Sequence, residues 1–195
     1  MRAIYVVMLA PLLGCTETSR YSTVLDHNIR IALEKPIEQS EGFTWPESAD
    51  GQPEFAAIEQ QHVLTVQFPS GRLWTTQSQL TFLSQDDRIL TEVVVTPLRK
   101  TATFIDALSH LRNTAEIFDV NQDELYVQKM SEWSEKPPVW DPFATKSFRF
   151  EVEPGINLFA EIRPSTEGGR WIVSYSFTVA KYFTQGQPPK TRQRG

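Results

Sequence analysis

Ile89-Leu90-Thr91-Glu92-Val93-Val94-Val95-Thr96-Pro97 is the stretch on which the reading of the fold turns. Its β-branched residues favour a pleated, half-buried strand, and Pro97 cannot donate to a ladder, so a strand stops there. Immediately beyond, the apolar period changes. Phe104, Leu108, Leu111, Ala115 and Phe118 recur at spacings of four and three, which places them on one face of a helix. Thr103 with Asp106 three residues later reads as a capping box at its start. A chain that passes from strands to helices at Pro97, and back to strands later, is an α+β protein rather than an alternating α/β one.

Working back from Ile89, Leu73 to Leu83 carries Trp74, Thr75, Thr76, Thr81 and Phe82, and Val63 to Phe68 precedes it across the turn Pro69-Ser70-Gly71. With the Asp86-Asp87 turn these predict an antiparallel meander. Ile29, Ile31 and Leu33 alternate with polar residues and predict an earlier strand from Asn28. Between them, residues 36–60 read as a long loop with Glu38, Glu41, Glu47, Asp50, Glu54 and Glu59 and no Lys or Arg. Working forward, a second helix is expected from Asn121, with Tyr126, Met130 and Trp133 on one face, until Pro137-Pro138 forbids continuation. Three alternating strands follow, around Phe148–Val152, Ile156–Ile162 and Trp171–Val179. The expectation is an antiparallel sheet of about seven strands, four before and three after two helices, with both helices packed on one face.

The chain has 195 residues, 40% hydrophobic and 22% charged, the proportions of one globular domain with its own core. The single cysteine excludes an internal disulfide. The net charge is −5, and the last basic residues, Lys190, Arg192 and Arg194, are confined to the C-terminal tail. The body is therefore more acidic still, which argues against a nucleic-acid partner.

The N-terminus carries the most specific pattern. Arg2 precedes an apolar run from Ala3 to Leu13, too short for the roughly 20 residues that span a bilayer. It closes on Leu12-Leu13-Gly14-Cys15, which resembles the lipobox of bacterial lipoprotein precursors. The resemblance implies that residues 1–14 are a signal peptide, that Cys15 is acylated, and that the lipid bilayer is a partner through Cys15. With Thr16 rather than aspartate next to the cysteine, it further implies the outer membrane, facing the periplasm. Residues 15–27 are then a lipidated tether, 28–183 the domain, and 184–195 a disordered tail.

Candidate chemistry elsewhere is sparse. His27, His62 and His110 lack metal-ligand spacing and are expected at the surface, and no metal or other cofactor is expected. Asp119-Val120-Asn121-Gln122-Asp123 matches the opening of a calcium loop, yet Glu124 stands where glycine is needed and Met130 where a bidentate acid is needed. The pairs Asp86/Asp87 and Asp123/Glu124 leave a carboxylate-dependent hydrolase as the alternative to a non-enzymatic binding or assembly module. Trp45, Trp140 and Phe143 sit in loops and are the candidate binding surface for a protein or envelope-component partner, while Trp133 is expected in the core. A specific form of the binding reading is an immunity-type protein that neutralises a basic toxin.

Overall fold

A computed structural model of the chain describes residues 22–46, 55–97, 100–141, 143–166 and 168–182. Its elements are β1 (Thr23–Val24), β2 (Asn28–Ala32), a 3-10 turn (Ile37–Gln39), β3 (Phe43–Thr44), β4 (Phe55–Ile58), β5 (His62–Gln67), β6 (Leu73–Asp86) and β7 (Ile89–Pro97). Then come α1 (Phe104–Ile117), a 3-10 turn (Val120–Gln122), α2 (Glu124–Glu135), β8 (Lys146–Glu153), β9 (Ile156–Pro164) and β10 (Trp171–Val179). The α+β class holds.

The sheet departs from expectation in two ways. It has eight strands in the order β2-β5-β6-β7-β10-β9-β8, with β4 also on β6, and it is mixed, because β2 runs parallel to β5. Period-two alternation reveals a strand but not its direction. Direction is imposed by a tight turn, and the long 33–61 connection imposes none. The order also differs, since seven strands precede the helices among the described residues. Three of them, β1, β3 and β4, are only two to four residues long, too short to show a period.

The region read as loop and tether is accordingly more structured. β1 pairs with β3, Ser22 N–H donates to the Ala57 carbonyl at 2.9 Å, and Leu25 N–H to that of Gly42 at 2.8 Å. Gly42 permits this close approach. Its φ is +87°, and a Cβ there would lie 2.4 Å from the Asn28 carbonyl oxygen. Ile37 and Ile58 are buried, and Glu38 forms an ion pair with Arg88. Glu47, Asp50 and Glu54 of the acidic segment lie outside the described residues, as do residues 1–21 with Cys15 and the tail from 183.

Helix α1 starts as its sequence requires. Thr103 Oγ1 accepts from Asp106 N–H at 3.1 Å, and the Asp106 carboxylate accepts from the Thr103 backbone, a capping box. Helix α2 begins later than Asn121. Asp119 takes a left-handed φ of 58°, buried Val120 anchors the intervening turn, and Asp123 is the cap, accepting from Tyr126 N–H at 2.9 Å. The residues with the partial calcium-loop pattern form a helix-to-helix corner, with Asp123 rather than Asn121 as the cap.

Both helices lie on one face of the sheet. Phe104 meets Trp171 and Phe118 meets Phe177 from α1, and Tyr126 of α2 meets Phe148 of β8. Phe177 is the hub of the core, with ring centroids 5.2 Å from Phe68, 4.9 Å from Trp74 and 5.7 Å from Phe118. The contacts with Phe68 and Trp74 are edge-on, an arrangement that adds about 0.5–1.5 kcal/mol per pair beyond area burial.

β6 gives the fold its character. Its first half, Leu73 to Ser78, pairs with β5, and its second half pairs with β4 and β7, with a register shift between Ser78 and Leu80. The bulge bends the strand, so that β5 and β2 turn over the helix-bearing face and bring Trp74 onto Tyr175, centroids 5.4 Å apart. His62 locks the bend. Expected at the surface, it is 2% exposed: its Nδ1 lies 2.6 Å from the Gln60 carbonyl, and its Nε2 3.0 Å from Thr81 Oγ1, beside Ser78 Oγ.

Burial lowers the His62 pKa from its ordinary 6.5, against the raising effect of the Gln60 carbonyl. The native state therefore binds fewer protons than the unfolded chain once pH falls below about 6.5. Stability is full above that value and declines as pH falls through it towards the lowered native pKa. Chemical denaturation across pH 5 to 8 should show this decline, and His62→Gln should reduce the slope in that window. An unchanged slope would show that His62 is not the titrating group.

Candidate functional site

Beyond the bend in β6, one of its edges has no partner strand among the described residues. Phe68 N–H donates to the Arg72 carbonyl at 2.9 Å, closing the β5–β6 turn, so the hydrogen-bonded pairs with β5 fall at Trp74, Thr76 and Ser78. The main-chain groups of Leu73, Thr75 and Gln77 therefore point the other way. Among the described residues β7 pairs with β6 only from Ser78 onward, opposite Pro97, and no described strand pairs with that side of Leu73–Gln77.

What faces this edge is α1, across a groove with a cavity volume of about 600 Å³. One wall is Thr75, Thr76 and Gln77; the other is His110, Asn113, Thr114 and Ile117 of α1. Trp74, Val173 and Tyr175 form the floor, and Pro97 bounds one end. Arg72 ties strand to helix beyond Leu73, with Nη1 3.5 Å from the Ile117 carbonyl and Nη2 3.5 Å from Asp119. A smaller depression of about 370 Å³ adjoins it, sharing His110 and Asn113 and adding Lys100, Asp106 and Ser109.

The electrostatics of the groove are those of an uncharged recognition site. No Asp, Glu, Lys or Arg is among its described lining residues. Tyr175 is buried and its hydroxyl donates to the His110 carbonyl at 3.2 Å. Burial pushes its pKa up to about 12, with a hydrogen bond to Thr114 pulling the other way, so the phenol stays a neutral donor at physiological pH. An apolar floor with amide and hydroxyl walls is suited to hold and orient a neutral ligand.

The residues singled out from sequence fall elsewhere. Trp45 is half-buried against Phe43, centroids 6.4 Å apart, in the segment alongside β2. Trp140 is 37% exposed and Phe143 89% exposed, in the segment leading into β8, at the other end of the strand order. Trp133 is in the core as expected. Asp86 and Asp87 are exposed at the β6–β7 turn, and Asp123 is occupied as the α2 cap, so neither carboxylate pair lines the groove. Of the histidines, His27 is exposed and His110 faces the groove. Among the described residues no three His, Cys, Asp or Glu side chains are grouped to hold a metal ion.

Sequence reasoning missed the groove, though one signal for it exists. The buried positions of β6 change parity, from Trp74 and Ser78 to Thr81 and Leu83, as a bulge requires. The opposite face of the sheet is uncovered by any described element. It exposes Phe82 and Phe159, while Glu92 accepts from Ser176 Oγ at 2.9 Å and Ser84 Oγ at 3.2 Å.

Comparison with protein-family models, with curated proteins and with solved structures found no match to this chain.

Proposed function

We infer that the chain is a lipid-anchored protein of the bacterial envelope whose domain acts as a non-enzymatic binding or assembly module. The address rests on Leu12-Leu13-Gly14-Cys15, and among the described residues no helix is long and apolar enough to cross a membrane. From Cys15 to Ser22, the first described residue, an extended chain reaches at most on the order of 25 Å, so an acylated Cys15 holds the domain close to the bilayer. Attachment of that kind takes acyl chains that each contribute about 0.8 kcal/mol per buried CH₂. The outer membrane, facing the periplasm, is the location that Thr16 supports.

The observation that carries the binding half is the groove between β6 and α1. It is roomy, uncharged and framed by rigid elements, which favours recognition over acid–base chemistry. The hydrolase alternative gains no support from this geometry, since both carboxylate pairs lie away from it.

The test is retention of an envelope component from extract by the full chain in lipid nanodiscs, at low and high salt. Recognition through the groove is expected to survive high salt, and Ile117→Lys to abolish it. Retention that collapses with salt would favour the immunity-type form, in which a basic partner meets acidic residues. No retention at either salt would overturn the binding reading.

A further inference from the structure

The ladder that β6 leaves unfinished specifies more than a generic ligand. Leu73, Thr75 and Gln77 present alternating N–H and C=O groups along about 13 Å of extended strand. Only another extended main chain offers the complementary alternation at the same spacing. We propose that the groove between β6 and α1 receives an extended, uncharged polypeptide segment of a partner, added as a strand to the free edge of β6. This rests on the reading of the domain as a binding module and names the chemistry of what it binds.

Three features select that occupant. The edge is continuous with the β6–β7 ladder, whose last described pair is Ser78 with Pro97, so an added strand extends an existing sheet. The space beside it, about 600 Å³, is within the range of sites that enclose a ligand. And the lining suits an uncharged guest: side chains entering the groove meet Trp74, Val173 and Ile117, with Thr114, Asn113 and His110 to satisfy polar atoms and no Asp, Glu, Lys or Arg among the described lining residues. Alternate side chains of the guest then face the floor while their neighbours face solvent.

The experiment is selection of short peptides from a randomised display library on the full chain in lipid nanodiscs, followed by anisotropy titration of the enriched sequences. Enriched peptides should be uncharged at alternate positions. Methylating the guest amides that face β6 should weaken binding about tenfold or more per lost hydrogen bond, while methylating the intervening amides should not. Thr75→Pro removes one groove-facing N–H yet leaves the β5 ladder intact, and should cost a similar factor. Ile117→Lys should abolish binding, and Val127→Lys, on α2 away from the groove, should leave it unchanged. Unfolding midpoints confirm that each variant folds.

Failure to enrich any peptide overturns the proposal. So does binding that ignores Ile117→Lys, or binding that senses Ile117→Lys yet ignores both amide methylation and Thr75→Pro. Lipid labelling at Cys15 and salt-resistant retention of an envelope component are read separately. A chain that keeps both but binds no peptide loses this inference alone.

Discussion

Phe177→Ala is expected to destabilise the domain by about 3–5 kcal/mol, the cost of emptying a well-packed aromatic site. Phe177 is 0% exposed and is the one ring that touches Phe68, Trp74 and Phe118 together. Those partners come from the β5–β6 turn, the folded-over half of β6 and the end of α1. The cavity therefore opens where the three parts of the molecule converge, and none can move inward without losing its own contacts. For a domain of this size the loss corresponds to a fall in melting temperature on the order of 10 °C. Phe159→Ala is the matched control, with the same chemistry on the uncovered face, where Phe159 is 39% exposed. It should cost less than about 1 kcal/mol. Equal effects of the two variants in urea titrations would show that Phe177 is not the hub.

Cys15→Ser is expected to remove lipid labelling completely and to leave residues 1–14 attached. In the proposed anchor the lipid is carried on a thioether, and a serine hydroxyl at neutral pH does not replace the cysteine sulfur as a nucleophile. Residues 16–195 contain no other cysteine to take over. Metabolic labelling with a fatty-acid analogue and the mass of the membrane-fraction protein read the two outcomes independently. Normal labelling of the serine variant would overturn the envelope assignment and with it the proximity of the domain to a bilayer. Comparing the unfolding midpoints of the parent chain and Cys15→Ser tells a labelling defect from a folding defect.

Much of the architecture could be read from residues alone, wherever a period ran long enough to average out. The face of α1 from Phe104 to Phe118, the alternation of β10 from Trp171 to Val179 and the burial of Trp133 were all legible. The elements that escaped are those stabilised by distant partners. β4 has no period of its own and exists because Ala56 and Ile58 lie opposite Leu83 and Thr81 of β6. His62, polar and in an alternating strand, reads as a surface residue until Thr81 and the Gln60 carbonyl supply its hydrogen bonds inside. The loop aromatics Trp140 and Phe143 drew notice for their size, whereas the groove is built of Thr, Gln, Asn and main chain, which carry no compositional signal.

The sequence by itself determined the α+β class, the sites where strands yield to helices, the capping of α1 and the N-terminal pattern on which the membrane proposal rests. These are local matters of side-chain period, proline geometry and a short contiguous motif. Only the tertiary structure decided that β2 runs parallel to β5, that β6 bends at Ser78 and turns its first half over the helix face, and that the edge of Leu73–Gln77 away from β5 faces α1 with no described strand paired to it. Strand direction and edge exposure depend on which segments meet across the sheet. That is set by the summed burial of Phe68, Trp74, Phe118 and Phe177, residues far apart in the chain.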